Sequence, residues 1–166
     1  NFLDTLARNI TTYYRIDKAD VFHVAELRKL IEIAALERLA TSPNEEAMGR
    51  LNDTIVHQKK AQADSDFHSY QDWHFKFHFE IVDALNNPLI SMLYKQVMVL
   101  MREPMEVTGR VPAIMKDSIR DHERIVDALT QGSLDDIRLL LTAHLDQSIS
   151  NICTVVGDSA IVDSLD

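Results

Sequence analysis

Apolar residues recur every three or four positions from residue 67 to residue 85, which is the spacing of one face of an α-helix. The series reads Phe67, Tyr70, His74, Phe77, His78, Ile81 and Leu85. His74 and His78 therefore lie within the apolar face, one above the other because they are four residues apart. Two imidazoles placed in this way can bind one metal ion.

The same periodicity continues along most of the chain and predicts an all-α antiparallel bundle of six to seven helices. Breaks are expected near residues 42, 65, 87, 104–112 and 132. Ser42 is expected to cap a helix that starts at Pro43, and Asn87 one that starts at Pro88. Residues 103–112 are expected to form the longest loop. We assign residues 1–16 to a linker or short leading helix, 17–156 to the helical domain and 157–166 to a tail.

Composition narrows the function classes. The 166 residues are 46% hydrophobic and fit one domain, while the net charge of -9 disfavours direct binding to a DNA backbone. The single cysteine, Cys153, cannot form an internal disulfide. The chain has no run of about 18 apolar residues, so no membrane contact is expected. We therefore predict a cytoplasmic protein. Because the chain begins at Asn1 without an initiator methionine, we expect it to be a fragment.

His122 and His144 also lie in the middle of apolar helix faces. Four of the seven histidines thus point inward from three helices. Two readings remain open. The rings are either core histidines that hydrogen bond to neighbours, or ligands of a shared divalent metal. The metal explanation is economical, because one ion removes the burial penalty of all four imidazoles.

Four segments resemble the ligand-binding C-terminal domain of FadR-type regulators in the GntR superfamily, known as the FCD domain. Residues 28–40 begin with Arg28, three residues and Glu32, and continue into an alanine-rich stretch. Residues 77–89 contain a Phe-His pair and an Asn-Pro pair in the order found in that family. The segments at 122–129 and 144–145 are similar to those that hold its later metal histidines.

The resemblance implies a metal site formed by His74, His78, His122 and His144. The metal-binding members of the family use an aspartate where this chain has His74. An all-histidine site carries one less negative charge and should attract anions more strongly. It also favours zinc or nickel, with cobalt and copper, over manganese or magnesium.

The resemblance further implies that the domain senses an effector and modulates DNA binding. A small organic carboxylate is expected at the metal, held by Arg28 with Arg102 as a second candidate, since a guanidinium can bind both carboxylate oxygens. Structural alternatives are an ion pair of Arg28 with Glu32 and a helix-end role for Arg102. The family also implies a homodimer and operator DNA bound by an N-terminal winged-helix domain outside this chain.

Two other function classes remain open. A helical metalloenzyme would use the histidine-bound metal to activate water. The sequence lacks the His-Glu-x-x-His helix, the His-Asp pair of helical metal phosphohydrolases and the repeated Glu-x-x-His of di-iron bundles, so we do not predict an enzyme. The third class is a metal-free bundle that dimerises or binds a ligand without metal.

Overall fold

The computed structural model describes the backbone of residues 18–162 and the side chains of residues 22–154. This part of the chain forms seven α-helices and no strand, which confirms the predicted all-α bundle. The leading helix expected within residues 1–16 lies outside the described residues, and the domain division stays a prediction, although the last helix includes the start of the expected tail. The helices are α1 (Lys18–Thr41), α2 (Glu45–Ala63), α3 (Phe67–Asp83), α4 (Pro88–Val99), α5 (Arg102–Thr108), α6 (Pro112–Gln131) and α7 (Leu134–Val162).

Contacts between the long helices show that neighbours run antiparallel. Lys29 in the first half of α1 pairs with Asp146 of α7, and Glu37 near the end of α1 pairs with Arg138 near the start of α7. Helices α2 and α3 are related in the same way, because contacts join residue 50 to residue 80 and residue 58 to residue 73. No helix in the described ranges is long and apolar enough to cross a bilayer.

Helix ends follow the capping signals, with one correction. Asn87 accepts two amide hydrogens of the first turn of α4, and Pro88 occupies its first position, as predicted. The prediction for Ser42 was wrong, because α2 begins at Glu45 and Asn44 is its cap. The Oδ1 atom of Asn44 accepts hydrogen bonds from the amides of Glu46 and Ala47. Ser42 lies too far from the start of the helix to reach these amides.

The loop predicted at residues 103–112 was also wrong, since residues 102–108 form α5. Pro104 is the third residue of that helix. The first amide groups of a helix have no partner within it, so a proline there sacrifices no hydrogen bond. Only residues 109–111 connect α5 to α6, and this brings the short helix close to α7.

Two groups of buried apolar side chains form the core. Phe77 and Ile81 belong to the larger group, and Phe75 and Val82 belong to the smaller group, which extends to α4 and α5. At 100° per residue, the positions of His74 and His78 on α3 lie between these two faces. The histidines therefore sit at the boundary of the two apolar groups, in the interior of the bundle.

Candidate metal centre

Three helices bring four imidazole rings together inside the bundle. Each of the four side chains is at most 4% exposed. One ring nitrogen of each residue lies within 4.8 Å of the corresponding nitrogen of the other three. The structure thus places together all four histidines that the sequence suggested as ligands, namely His74 and His78 on α3, His122 on α6 and His144 on α7.

The outward nitrogen of each ring faces a polar side chain, which leaves the inward nitrogen for the centre of the cluster. Outer contacts of this kind fix the orientation of an imidazole and are typical of metal-binding histidines. The Nδ1 contacts are His78 to Glu32 Oε2 at 2.7 Å, His122 to Gln58 Oε1 at 3.0 Å, His74 to Ser118 Oγ at 3.2 Å and His144 to Asp121 Oδ2 at 3.5 Å.

The inward Nε2 atoms lack adequate partners within the protein. Those of His74 and His78 are buried without a hydrogen bond, and those of His122 and His144 lie 3.2 Å apart. When the Nδ1 atoms of the latter two rings donate to Gln58 and Asp121, both of these Nε2 atoms present lone pairs to each other. A divalent cation would accept all four lone pairs, so the donor set fits a metal with a preference for imidazole.

Glu32, which the sequence indicated only as an ion-pair partner of Arg28, lies buried beside the cluster. Its carboxylate accepts hydrogen bonds from Arg28 Nε at 2.9 Å, from His78 Nδ1 and from the Tyr94 hydroxyl. The expected alternative for Arg28, an ion pair with Glu32, is therefore formed. The Nη2 atom of Arg28 is nevertheless buried without a partner. One guanidinium nitrogen thus stays available to another acceptor.

Arg28 and Glu32 carry opposite charges although both side chains are buried. Burial by itself would raise the pKa of Glu32, but His78 and Arg28, together with hydrogen bonds from His78 and Tyr94, lower the pKa to about 2. Burial likewise opposes the charge of Arg28, and Glu32 outweighs it so that the pKa of Arg28 is raised. Glu32 and Arg28 are consequently both charged at neutral pH and offset each other.

Three of the four buried histidines, His74, His78 and His122, are neutral at neutral pH. Burial lowers the pKa values of His74 and His122 well below their ordinary value, and the neighbouring imidazoles act in the same direction. Burial also lowers the pKa of His78 to about 4, although Glu32 opposes this change. Neutral imidazole is the form that binds a metal.

We expect the metal-free chain to lose stability as the pH falls from 6.5 towards 4. The unfolded chain, with histidine pKa values near 6.5, then binds more protons than the folded chain, in which the pKa of His78 is about 4. Glu32 extends the loss, because its pKa is about 2 when folded and 4.5 when unfolded. The denaturant concentration at the midpoint of unfolding, measured with a chelator present, should decrease as the pH is lowered from 7.5 to 5. An unchanged midpoint would contradict the buried neutral state of these rings.

Arg102, the second predicted effector ligand, lies elsewhere. It is the first residue of α5, its side chain is 51% exposed, and its Nη1 atom binds Asp72 Oδ1 at 2.9 Å. Its guanidinium also lies 5.2 Å from the ring of Phe75. These contacts favour a role in attaching α5 to α3, and its role as an effector ligand stays a prediction.

A cavity of about 420 Å³ opens beside the cluster, between α3, α5, α6 and α7. His74 and His144 form part of its wall, whereas Arg28 does not. A small molecule in this cavity would lie beside these two imidazoles and beside Ser118 and Asp121, which contact their Nδ1 atoms. Arg28 and Glu32 do not line the cavity, and Glu32 connects Arg28 to the cluster through its contact with His78.

The outer contacts differ in how visible they are from sequence. Gln58 lies in the apolar stripe of α2 between Ile55 and Ala61, and a polar residue in such a stripe is a detectable signal. Its Nε2 atom lies 3.4 Å from the carbonyl oxygen of Trp73, whose ring stacks on His57 with centroids 3.9 Å apart. Contacts of this kind join positions far apart in sequence, and no spacing rule indicates them.

The sequence of this chain matches a known domain family and a known transcriptional regulator. Residues 23–147 match the family model of the FCD domain. The chain is similar to the HTH-type transcriptional regulator LutR of Bacillus subtilis (strain 168), with 27% identity over 148 residues that cover 86% of this chain and 67% of the relative.

Solved structures show the same fold. Lar, which controls expression of the Listeria monocytogenes agr system, has a TM-score of 0.76 and 16% identity, and E. coli McbR/YncC has 0.74 and 17%. Both matches cover 84% of this chain, which spans 66% of each of those proteins. The metal-free FCD domain of TM0439 has a TM-score of 0.72 and 16% identity over 87% of this chain and 99% of that one. The match of residues 23–147 covers most of the chain, which therefore belongs to the FCD domain family.

Proposed function

We propose that this chain is the effector-sensing domain of a transcriptional regulator, in which a small carboxylate binds at a divalent metal. The four histidines of the cluster would hold the ion. The observation that carries the proposal is the set of four inward ring nitrogens, two of them buried without any partner, in a member of the FCD family.

The charge of the site supports an anionic ligand. Four neutral imidazoles leave a divalent ion with its full charge, and the pair of Arg28 and Glu32 adds nothing to the balance. A bound metal would supply a Lewis acid that attracts a carboxylate. This role needs an ion that accepts more than four ligands. Zinc and nickel are the ions that we expect first, because imidazole suits both.

Arg28 is proposed to assist the effector through its unpartnered Nη2 atom. Its Nε atom is engaged by Glu32, which in turn contacts His78. A carboxylate bound to Nη2 would therefore be connected to His78 through Arg28 and Glu32. The same contacts argue against enzymatic use of Glu32 as a base, because its two oxygens already accept three hydrogen bonds.

The proposed roles beyond effector binding are based on the relatives of this chain as well as on the domain itself. We propose that operator DNA is bound by a separate winged-helix domain, that the protein works as a homodimer and that it is cytoplasmic. LutR is named as a helix-turn-helix regulator, which supports the first point. Leu30 on α1 and Leu139 on α7, at 73% and 68% exposure, offer apolar surface for a second copy.

The test is titration calorimetry of the chain with acetate and glycolate, before and after the metal is removed with a chelator. We expect binding to weaken by at least ~10-fold without metal, and again in Arg28→Lys, which keeps the charge beside Glu32 but loses the planar fork. Arg38→Lys, which makes the same exchange at an exposed arginine of the same helix, is the control and should bind normally. Equal binding to the metal-free chain would show that the ion is structural and that the proposal is wrong.

A further inference from the structure

The four imidazoles of the cluster have outer partners of different chemistry. Glu32 beside His78 and Asp121 beside His144 offer carboxylates, which accept hydrogen bonds and donate none. The Nδ1 atoms that face these carboxylates therefore carry the ring proton. The inward Nε2 atoms of the same two rings consequently present lone pairs.

Gln58 holds the ring of His122 in the same tautomer. The amide nitrogen of Gln58 lies 3.4 Å from the carbonyl oxygen of Trp73, so the amide oxygen is the atom that faces His122 Nδ1, at 3.0 Å. An amide oxygen only accepts. Three of the four rings, those of His78, His122 and His144, are thus held with a lone pair on the inward nitrogen, which is the form that binds a metal.

His74 is the exception, because its outer partner is a hydroxyl. Ser118 Oγ lies 3.2 Å from His74 Nδ1 and can either accept a hydrogen bond from this nitrogen or donate one to it. The hydroxyl of Tyr70 is a second hydrogen-bonding neighbour of Ser118, so the serine has a further partner in both cases. The surroundings of His74 therefore permit both neutral tautomers, one with a lone pair on the inward Nε2 atom and one with a proton there.

His74 also forms part of the wall of the cavity between α3, α5, α6 and α7, together with Tyr70 and Ser118. His78 and His122 do not line this cavity. His144 does, but the carboxylate of Asp121 faces its Nδ1 atom. His74 is thus the one ring of the cluster that both borders the cavity and has an outer partner able to satisfy either tautomer.

We propose that His74 is the exchangeable ligand of the metal centre, whereas His78, His122 and His144 are its permanent ligands. An anion that enters from the cavity takes the position of His74 on the ion. The released ring changes to the tautomer with a proton on Nε2, which donates a hydrogen bond to the anion, while Ser118 donates to Nδ1. One proton leaves Nδ1 for solvent water and another reaches Nε2 from solvent water, so the number of protons on the ring is unchanged.

This inference rests on the proposed function, because it assumes that a carboxylate binds at the metal, and it removes one condition of that function. While all four imidazoles stay bound, the ion must accept more than four ligands to bind an effector. Release of His74 leaves three imidazoles, an arrangement in which zinc keeps its fourth position for water or a substrate. A four-coordinate ion can then also bind a carboxylate.

Nitrogen NMR of the histidine rings in the zinc-loaded chain, with and without acetate, tests the exchange. Metal-bound, protonated and unprotonated ring nitrogens differ in chemical shift. Without acetate we expect the Nε2 atoms of all four rings to be metal-bound. With saturating acetate, His74 Nε2 should carry a proton and the other three should stay metal-bound. A His74 ring that remains on the zinc in the acetate complex, or that is already free without acetate, would overturn the inference.

Ser118→Asp should convert His74 into a permanent ligand, because a carboxylate only accepts and keeps the proton on Nδ1. We expect zinc affinity to rise and acetate affinity to fall at least ~10-fold. Ser148→Asp makes the same exchange at another half-buried serine of the cavity wall and is the matched control for the added charge. It should weaken acetate binding less and leave zinc affinity unchanged. Equal effects of the two variants would contradict the role of Ser118.

Single alanine variants compare the exchangeable ligand with a permanent one. His74→Ala and His122→Ala each remove one inward imidazole. We expect zinc affinity to fall by less than ~10-fold in His74→Ala and by more than ~100-fold in His122→Ala, on a scale where the loss of an outer contact costs about 10- to 100-fold. Zinc-loaded His74→Ala should still bind acetate. Equal losses of zinc affinity would show that the four rings are equivalent and would overturn the inference.

The outcomes separate this inference from the proposed function. Failure of acetate to bind to the zinc-loaded chain would overturn both. Metal-dependent binding of acetate with His74 still on the zinc would leave the carboxylate sensor intact and overturn only the exchange. Metal-dependent binding of acetate with a proton on His74 Nε2 supports both.

Discussion

Replacing Glu32 with glutamine should lower the free energy of unfolding of the metal-free chain by about 3–5 kcal/mol, the usual cost of removing one partner from a buried ion pair. Glu32 is fully buried and is the acceptor for Arg28, His78 and Tyr94. Its loss would leave the charge of Arg28 buried without compensation. Urea unfolding monitored by circular dichroism provides the measurement.

An exposed pair of the same kind gives the matched control. Glu106 and Arg110 form an i, i+4 ion pair at 2.7 Å, with both side chains about half exposed. Glu106→Gln should cost less than about 0.5 kcal/mol, as is usual for exposed helix pairs. A similar small loss in Glu32→Gln would show that the buried network contributes little. A double variant that also converts Arg28 to methionine should recover part of the stability, because no buried charge remains.

The double variant His78→Ala with His122→Ala should abolish stoichiometric metal binding. It removes two of the four inward nitrogens, one each from α3 and α6. Even the loss of an outer contact commonly lowers metal affinity by about 10- to 100-fold, so the loss of two direct ligands should exceed that range. Elemental analysis after equilibrium with buffered zinc or nickel would measure the metal content per chain.

The exposed histidines serve as the control for that experiment. His23→Ala with His68→Ala removes the same number of imidazoles from the surface and should leave metal content unchanged. Gln58→Leu, which removes the Nδ1 partner of His122, should give an intermediate loss. If metal content were the same in the His78 and His122 double variant as in the unaltered chain, the four-histidine site would be wrong.

Local signals in the sequence were sufficient for most helix boundaries. Asn87 and Pro88 mark the start of α4 because cap and first-turn chemistry depend on adjacent residues only. The errors arose where two local signals competed. Ser42 and Asn44 are both good caps, and Pro104 is compatible with either a loop or a first helical turn. Packing of the segment against its neighbours decides such cases, and packing is not visible in local sequence.

The inner residues of the site were more predictable than the outer ones. The helical stripe places His74, His78 and His144 inward by periodicity alone. Glu32 is 46 residues from His78, and Asp121 belongs to a different helix from His144, so no periodic pattern connects them. The choice between hydrogen-bonded core histidines and metal ligands also depends on these partners, because they decide which nitrogen faces inward.

The stack of Trp73 on His57 gives this protein a built-in optical reporter. Trp73 is the only tryptophan of the chain, and it precedes His74 directly. Its carbonyl faces Gln58, which holds His122, and the ammonium group of Lys76 lies 4.5 Å from its ring. A movement of α2 against α3 that accompanied metal or effector binding would alter the overlap of the indole with its imidazole and ammonium neighbours. We expect the intrinsic fluorescence of Trp73 to report such a movement in the unlabelled protein, in real time.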